Sequence, residues 1–156
     1  MMSSTLVALS TWLHILATIV MIGYFIFNSL VYLPAFEKQF SMNDLRDVLE
    51  KISARFRPYF GVSLLIFLVT GTHLMLINEN YSGLGDFFSN PWSVLIIIKH
   101  VLVLVFLVLA VISERAYLAK ISDEQPDALQ KFRWSVNICS ILGAGILLLT
   151  SFAQAG

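Results

Sequence analysis

Four long apolar runs dominate the chain, at roughly residues 6–30, 59–78, 92–112 and 134–152. Each can cross a hydrocarbon core, which takes about 20 helical residues. Lys99, in the third run, is the only Lys, Arg, Asp or Glu in any of them. The pattern predicts an all-α fold, an integral membrane four-helix bundle, in a single transmembrane domain over residues 1–156. The first run lacks a basic start and is too long for the apolar core of a signal peptide. It also has no A-x-A site before Tyr32, so it reads as a retained helix.

A second periodicity lies between the first two runs. Met42, Leu45, Val48, Leu49, Ile52 and Phe56 recur at helical spacing, with Asp44, Arg46, Asp47, Glu50 and Lys51 between them. Ser41-x-x-Asp44 is a helix-start signal, a carboxylate variant of the capping box. Pro58 is expected to break this helix from the span that follows. The expectation is a short amphipathic helix in the first cytoplasmic loop, lying on the interface; a solvated connector with one greasy side fits equally well. Pro126 suits the first turn of the fourth helix.

Charge orients the bundle. Lys38, Arg46, Lys51, Arg55 and Arg57 lie between runs one and two, and Arg115, Lys120, Lys131 and Arg133 between runs three and four. Nine of the ten basic residues thus fall on one side, expected to be cytoplasmic. Both termini and the loop 79–91 are then expected outside the cytoplasm. Trp12 and Trp92 near one face, with Tyr32, Tyr59, Tyr117 and Trp134 near the other, suit interfacial belts. Composition agrees: 58% of residues are hydrophobic and 13% charged, too apolar for a soluble domain. The expected location is a cell membrane, multi-pass, as in a bacterial or archaeal inner membrane. A formal net charge of zero gives no reason to expect nucleic acid as a partner. The single cysteine, Cys139, rules out an intrachain disulfide.

The candidate chemistry rests on histidine. His14, His73 and His100 all lie inside the apolar runs, on three different helices. At ~1.5 Å rise per residue they sit ~12, ~8 and ~12 Å below the same face, and Lys99 lies at that level too. Ionisable side chains inside a membrane mark functional sites by default. Any one of these histidines could instead be an interhelical hydrogen-bonding group, worth about 1–2 kcal/mol at best. Three at one depth favour a shared ligand. Ser63, Thr70 and His73 form one stripe, and His14 shares a face with Thr18. Span four has no histidine and is expected to close the bundle, with Cys139 in its core.

Neutral imidazole suits both iron and copper. Two histidines could clamp haem b, with Lys99 near its propionates; three could ring a copper ion. Met21 and Met75 read as packing, and Lys99 could equally snorkel outward. The other half of the membrane holds Tyr24, Asn28, Ser63 and Asn137, with Glu114 at its rim. It offers no relay of acids and bases. The expectation is an outward-facing site binding haem b, or alternatively copper, for electron transfer or redox chemistry. An enzyme reading would be an oxidoreductase. A third possibility is a non-catalytic subunit of a larger complex. Candidate partners are the lipid bilayer, other membrane subunits or a second copy, and a redox partner or quinone.

Trp12-Leu13-His14-Ile15-Leu16, then Gly23 and Tyr32-Leu33-Pro34, resembles the first helix of the copper-resistance D (CopD) family and the related HemJ-type protoporphyrinogen oxidases. Arg57, Thr70-Gly71, and Trp92 followed by Lys99 are similar to the next two helices. The resemblance covers about residues 10–112; span four matches only as a hydrophobic helix. It implies a four-helix membrane core, with His14 as the first-helix histidine and Lys99 as the third-helix lysine. In HemJ-type proteins both are essential and haem b is bound; the copper branch implies copper uptake or resistance. Here Tyr32-Leu33-Pro34 stands further from His14, and Ala35-Phe36-Glu37 replaces the arginine-bearing continuation. That departure weighs against porphyrinogen oxidation. His73 and His100 rest on depth and face alone.

Overall fold

Long apolar runs with good helix formers give long helices. The computed structural model describes residues 4–81, 83, 90–122 and 125–155. Helix α1 (Ser4–Phe27) runs through a wide π turn (Asn28–Tyr32) into the short α2 (Leu33–Phe36). Helix α3 is Met42–Leu76 and α4 is Pro91–Ile112. A second π turn (Ser113–Tyr117) and a 3-10 turn (Leu118–Lys120) follow, and α5 is Pro126–Ala155. Four helices, Ser4–Phe36, Met42–Leu76, Pro91–Lys120 and Asp127–Phe152, are long and apolar enough to cross a membrane. No strand occurs among the described residues. Most of the loop between α3 and α4 lies outside them.

The start signals at Ser41 and Pro126 act as expected, and the structure adds a further cap at Asn90. Ser41 caps α3, accepting from the Asp44 amide at 3.3 Å, and its hydroxyl donates to the Asp44 carboxylate at 2.6 Å. Asn90 caps α4, accepting from the Ser93 amide at 2.8 Å, with Pro91 in the first turn. Pro126 begins α5.

Pro58 does not behave as expected. It lies inside α3, so the amphipathic segment is the first half of one 35-residue helix and not a separate interfacial helix. The reason is phase. Leu45, Leu49, Ser53, Phe56, Phe60, Ser63, Phe67 and Thr70 step by three or four residues across the proline, and all are buried or half-buried. Breaking the helix at Pro58 would throw the two halves of this stripe out of register. The proline removes one backbone hydrogen bond, a loss that packed membrane helices tolerate.

Each side of the bundle has a distinct partner. Leu65, Val69, Leu104 and Ile141 are more than 60% exposed, as side chains facing lipid must be. Inside, Phe25 meets Phe106 edge to face at 5.1 Å, and Phe132, Val136 and Cys139 are buried. α1 packs most extensively on α3, and α5 on α4 and α1. Gly143 permits the α1–α5 approach: a Cβ there would stand 2.5 Å from Ile22 Cγ2. The Arg133–Glu37 ion pair ties α5 to the end of α2.

Candidate functional site

Two ends of the bundle carry polar chemistry. At the histidine end, a cavity of about 530 Å³ opens between α1, α3, α4 and α5. His14, Lys99 and His100 all line it, with Phe67, Gly71, Met75, Trp92 and Thr150. The structure therefore brings together three of the four residues singled out from the sequence.

His73 is the exception. It does not line this cavity, and both its ring nitrogens are shielded without a hydrogen-bond partner. The cavity face of α3 runs through Phe67, Gly71, Met75 and Asn78. Two residues on a helix are about 200° apart, so His73 lies nearly opposite Gly71 and Met75. Rotation about the α3 axis keeps it out of the cavity. Among the described residues, no three His, Cys, Asp or Glu side chains gather as a metal-ligand group.

Local hydrogen bonds fix the protonation of the two cavity histidines. His100 Nδ1 lies 2.7 Å from the Ile96 carbonyl, which can only accept, so Nδ1 carries the proton. His14 Nδ1 lies 3.0 Å from Thr70 Oγ1. The Thr70 hydroxyl donates its one proton to the Ile66 carbonyl at 2.6 Å. Its oxygen must therefore accept from His14 Nδ1. In the neutral form of each ring this leaves the lone pair, which a metal would need, on Nε2. The Thr70 oxygen holds His14 in this tautomer.

The His14 ring is also held in place. It stacks on Phe67 with centroids 4.5 Å apart, and it is buried at 8% exposure. Gly71 leaves room for it, because a Cβ there would come 3.0 Å from His14 Cε1. The Thr70-Gly71 pair thus has a direct physical reading: one residue orients the ring and the next makes space. Lys99 lines the cavity together with one carboxylate, Glu79, and makes no ion pair among the described residues.

The other end is richer than its sequence suggested. Tyr24 donates to Glu114 Oε1 at 3.2 Å, and Arg57 Nε donates to Glu114 Oε2 at 3.2 Å. Ser29 donates to Asn137 at 2.5 Å, Ser113 bonds Ser135, and Asn28 donates to the Tyr24 carbonyl at 3.0 Å. Each π turn supplies members of this network, Asn28 and Ser29 from one and Ser113 and Glu114 from the other. Such turns often mark functional or strained positions. Pro34, two residues beyond the first, is a local signal for it, since proline disrupts the regular ladder.

Comparison with known proteins adds one finding. The family model CopD, described as Copper resistance protein D, matches residues 50–153. The match takes in most of α3 and all but the end of α5, and includes His73, Lys99 and His100; His14 lies before it. No curated protein and no solved structure matches.

Proposed function

The chain belongs to the copper resistance protein D family of multi-pass membrane proteins, and we propose that its histidine-end cavity binds haem b for electron transfer or related redox chemistry. One observation carries this reading. Two histidines from different helices, each with Nδ1 engaged in a hydrogen bond, line one cavity of about 530 Å³, far larger than a lone ion needs. That volume lies within the usual range of cofactor sites, roughly 300–1,000 Å³. His14 and His100 would hold the iron, Phe67 and Val103 would give apolar walls, and Lys99 would face the propionates. A bound haem supplies one-electron chemistry. The chain's own contribution is to fix the His14 tautomer through Thr70 and to hold the ring against Phe67.

A copper ion is the second reading, favoured by the family description and by Met75 on the same cavity wall. Two imidazoles and a thioether form a donor set that copper(I) accepts. In either case the basic residues at the opposite end support a cytoplasmic position for that end and an outward-facing site in a cell membrane.

The test is the purified protein in detergent, with its oxidised and reduced spectra and its metal content. Haem predicts Soret and α bands that weaken or shift in His14→Ala and His100→Ala. Copper predicts about one ion per chain, lost in the same variants. No Soret band after expression with adequate haem supply overturns the first reading, and no copper overturns the second.

A further inference from the structure

A groove of about 480 Å³ runs along the bundle between the end of α1 and the middle of α3, remote from the histidines. Phe27 and Tyr32 form one wall, and Phe56 and Tyr59 the other. Tyr24 and Phe56 stack across the two helices, with nearly parallel rings and centroids 4.1 Å apart. Lys51 and Arg55 line its polar end, one helical turn apart. Neither makes an ion pair among the described residues, whereas Arg46, Arg57 and Arg133 all have carboxylate partners. No acidic side chain lines the groove.

We propose that this groove binds an anionic phospholipid, with the phosphate on Lys51 and Arg55 and an acyl chain along Phe27, Phe56 and Tyr59. Charge complementarity favours this occupant: two uncompensated cations sit at the end of an aromatic trough, on a helix crossing the membrane edge. The continuity of α3 through Pro58 makes the arrangement possible. Because α3 passes straight through, Lys51, Arg55 and Tyr59 form a column, with Tyr59 ~12 Å from Lys51 along the axis. That column runs from headgroup to acyl level, as one lipid molecule does. A helix broken at Pro58 and laid on the interface would scatter these groups. The site does not depend on what occupies the histidine cavity.

The experiment is native mass spectrometry of the intact chain with phosphatidylglycerol or phosphatidylcholine added in equal amounts. Each basic group near an anionic headgroup is worth about fivefold in affinity, so Lys51→Gln/Arg55→Gln should lower the preference for phosphatidylglycerol roughly 20- to 30-fold. Lys51→Arg/Arg55→Lys should restore it. Lys38→Gln/Lys131→Gln removes the same charge away from the groove and should leave the preference intact. An equal loss in that control, or no preference in the unaltered protein, overturns the proposal. So does glycerol phosphate competing as well as the intact lipid, because the apolar trough would then contribute nothing.

Discussion

Thr70→Val is the sharpest perturbation of the histidine cavity, because it keeps the shape of the side chain and removes only the hydroxyl. In the native chain Thr70 Oγ1 accepts from His14 Nδ1 at 3.0 Å and donates to Ile66 at 2.6 Å. The second bond is local to α3 and its loss costs little. The first is buried, and removing its acceptor strands an N–H in an apolar seam, at a cost of about 1–3 kcal/mol. The ring can escape this cost by moving its proton to Nε2, which surrenders the lone pair on which the proposed ligation rests. Loss of such an outer-shell partner typically lowers metal affinity about 10- to 100-fold. Nitrogen-15 spectra of histidine-labelled protein read the tautomer directly, without any cofactor. His14 should carry its proton on Nδ1 in the unaltered chain and in Thr70→Ser, and should lose that state in Thr70→Val. The reasoning is refuted if His14 is protonated on Nε2 in the unaltered protein, or if Thr70→Val leaves the tautomer unchanged.

Three further outcomes follow from the packing. Gly143→Ala should lower stability by about 1–3 kcal/mol, since its Cβ meets Ile22 Cγ2 at 2.5 Å, whereas Gly145→Ala, with nothing within 4 Å, should be close to neutral; thermal midpoints in detergent compare them. Glu114→Ala should destabilise more than Arg57→Ala, because it removes the acceptor of the Tyr24 hydroxyl as well as breaking an ion pair whose arginine is 58% exposed. In a Cys139→Ser background, cysteines placed at Asn80 and at Lys120 should react with an impermeant thiol reagent from opposite sides of the membrane; labelling from the same side would refute the four-span topology.

The spans were legible because nothing but a membrane helix is served by 20 uninterrupted apolar residues. The meeting of His14, Lys99 and His100 at one cavity was legible as well, since rise per residue is nearly constant in a helix. The rotation of His73 was less so. His73 is three residues from Thr70, a step of 300°, and that 60° shortfall separates the seam where Thr70 meets His14 from the seam where His73 has no partner. Pro58 misled for the opposite reason: a strong local rule was outweighed by a buried stripe that keeps phase over seven turns. The Tyr24–Glu114–Arg57 network escaped notice because its members are separated by up to 90 residues. Only contact between helices reveals it.

The continuity of α3 through Pro58 has a consequence for how the molecule is built. α1 carries His14 and, ten residues on, Tyr24; α3 carries Thr70 and, thirteen residues earlier, Arg57. One pair of closely packed helices therefore builds both polar centres, about 15–20 Å apart along the axis. α4 and the π turn that follows it complete the pair, with Lys99 and His100 from the helix at one end and Glu114 from the turn at the other. A helix broken at Pro58 would have left the two centres to be set independently. In the continuous helix, a rotation of α3 that displaced Thr70 from His14 would also carry Arg57 and Phe56 away from Glu114 and Tyr24. The basic end thus acts as a second anchor for the rotational phase on which the His14 tautomer depends.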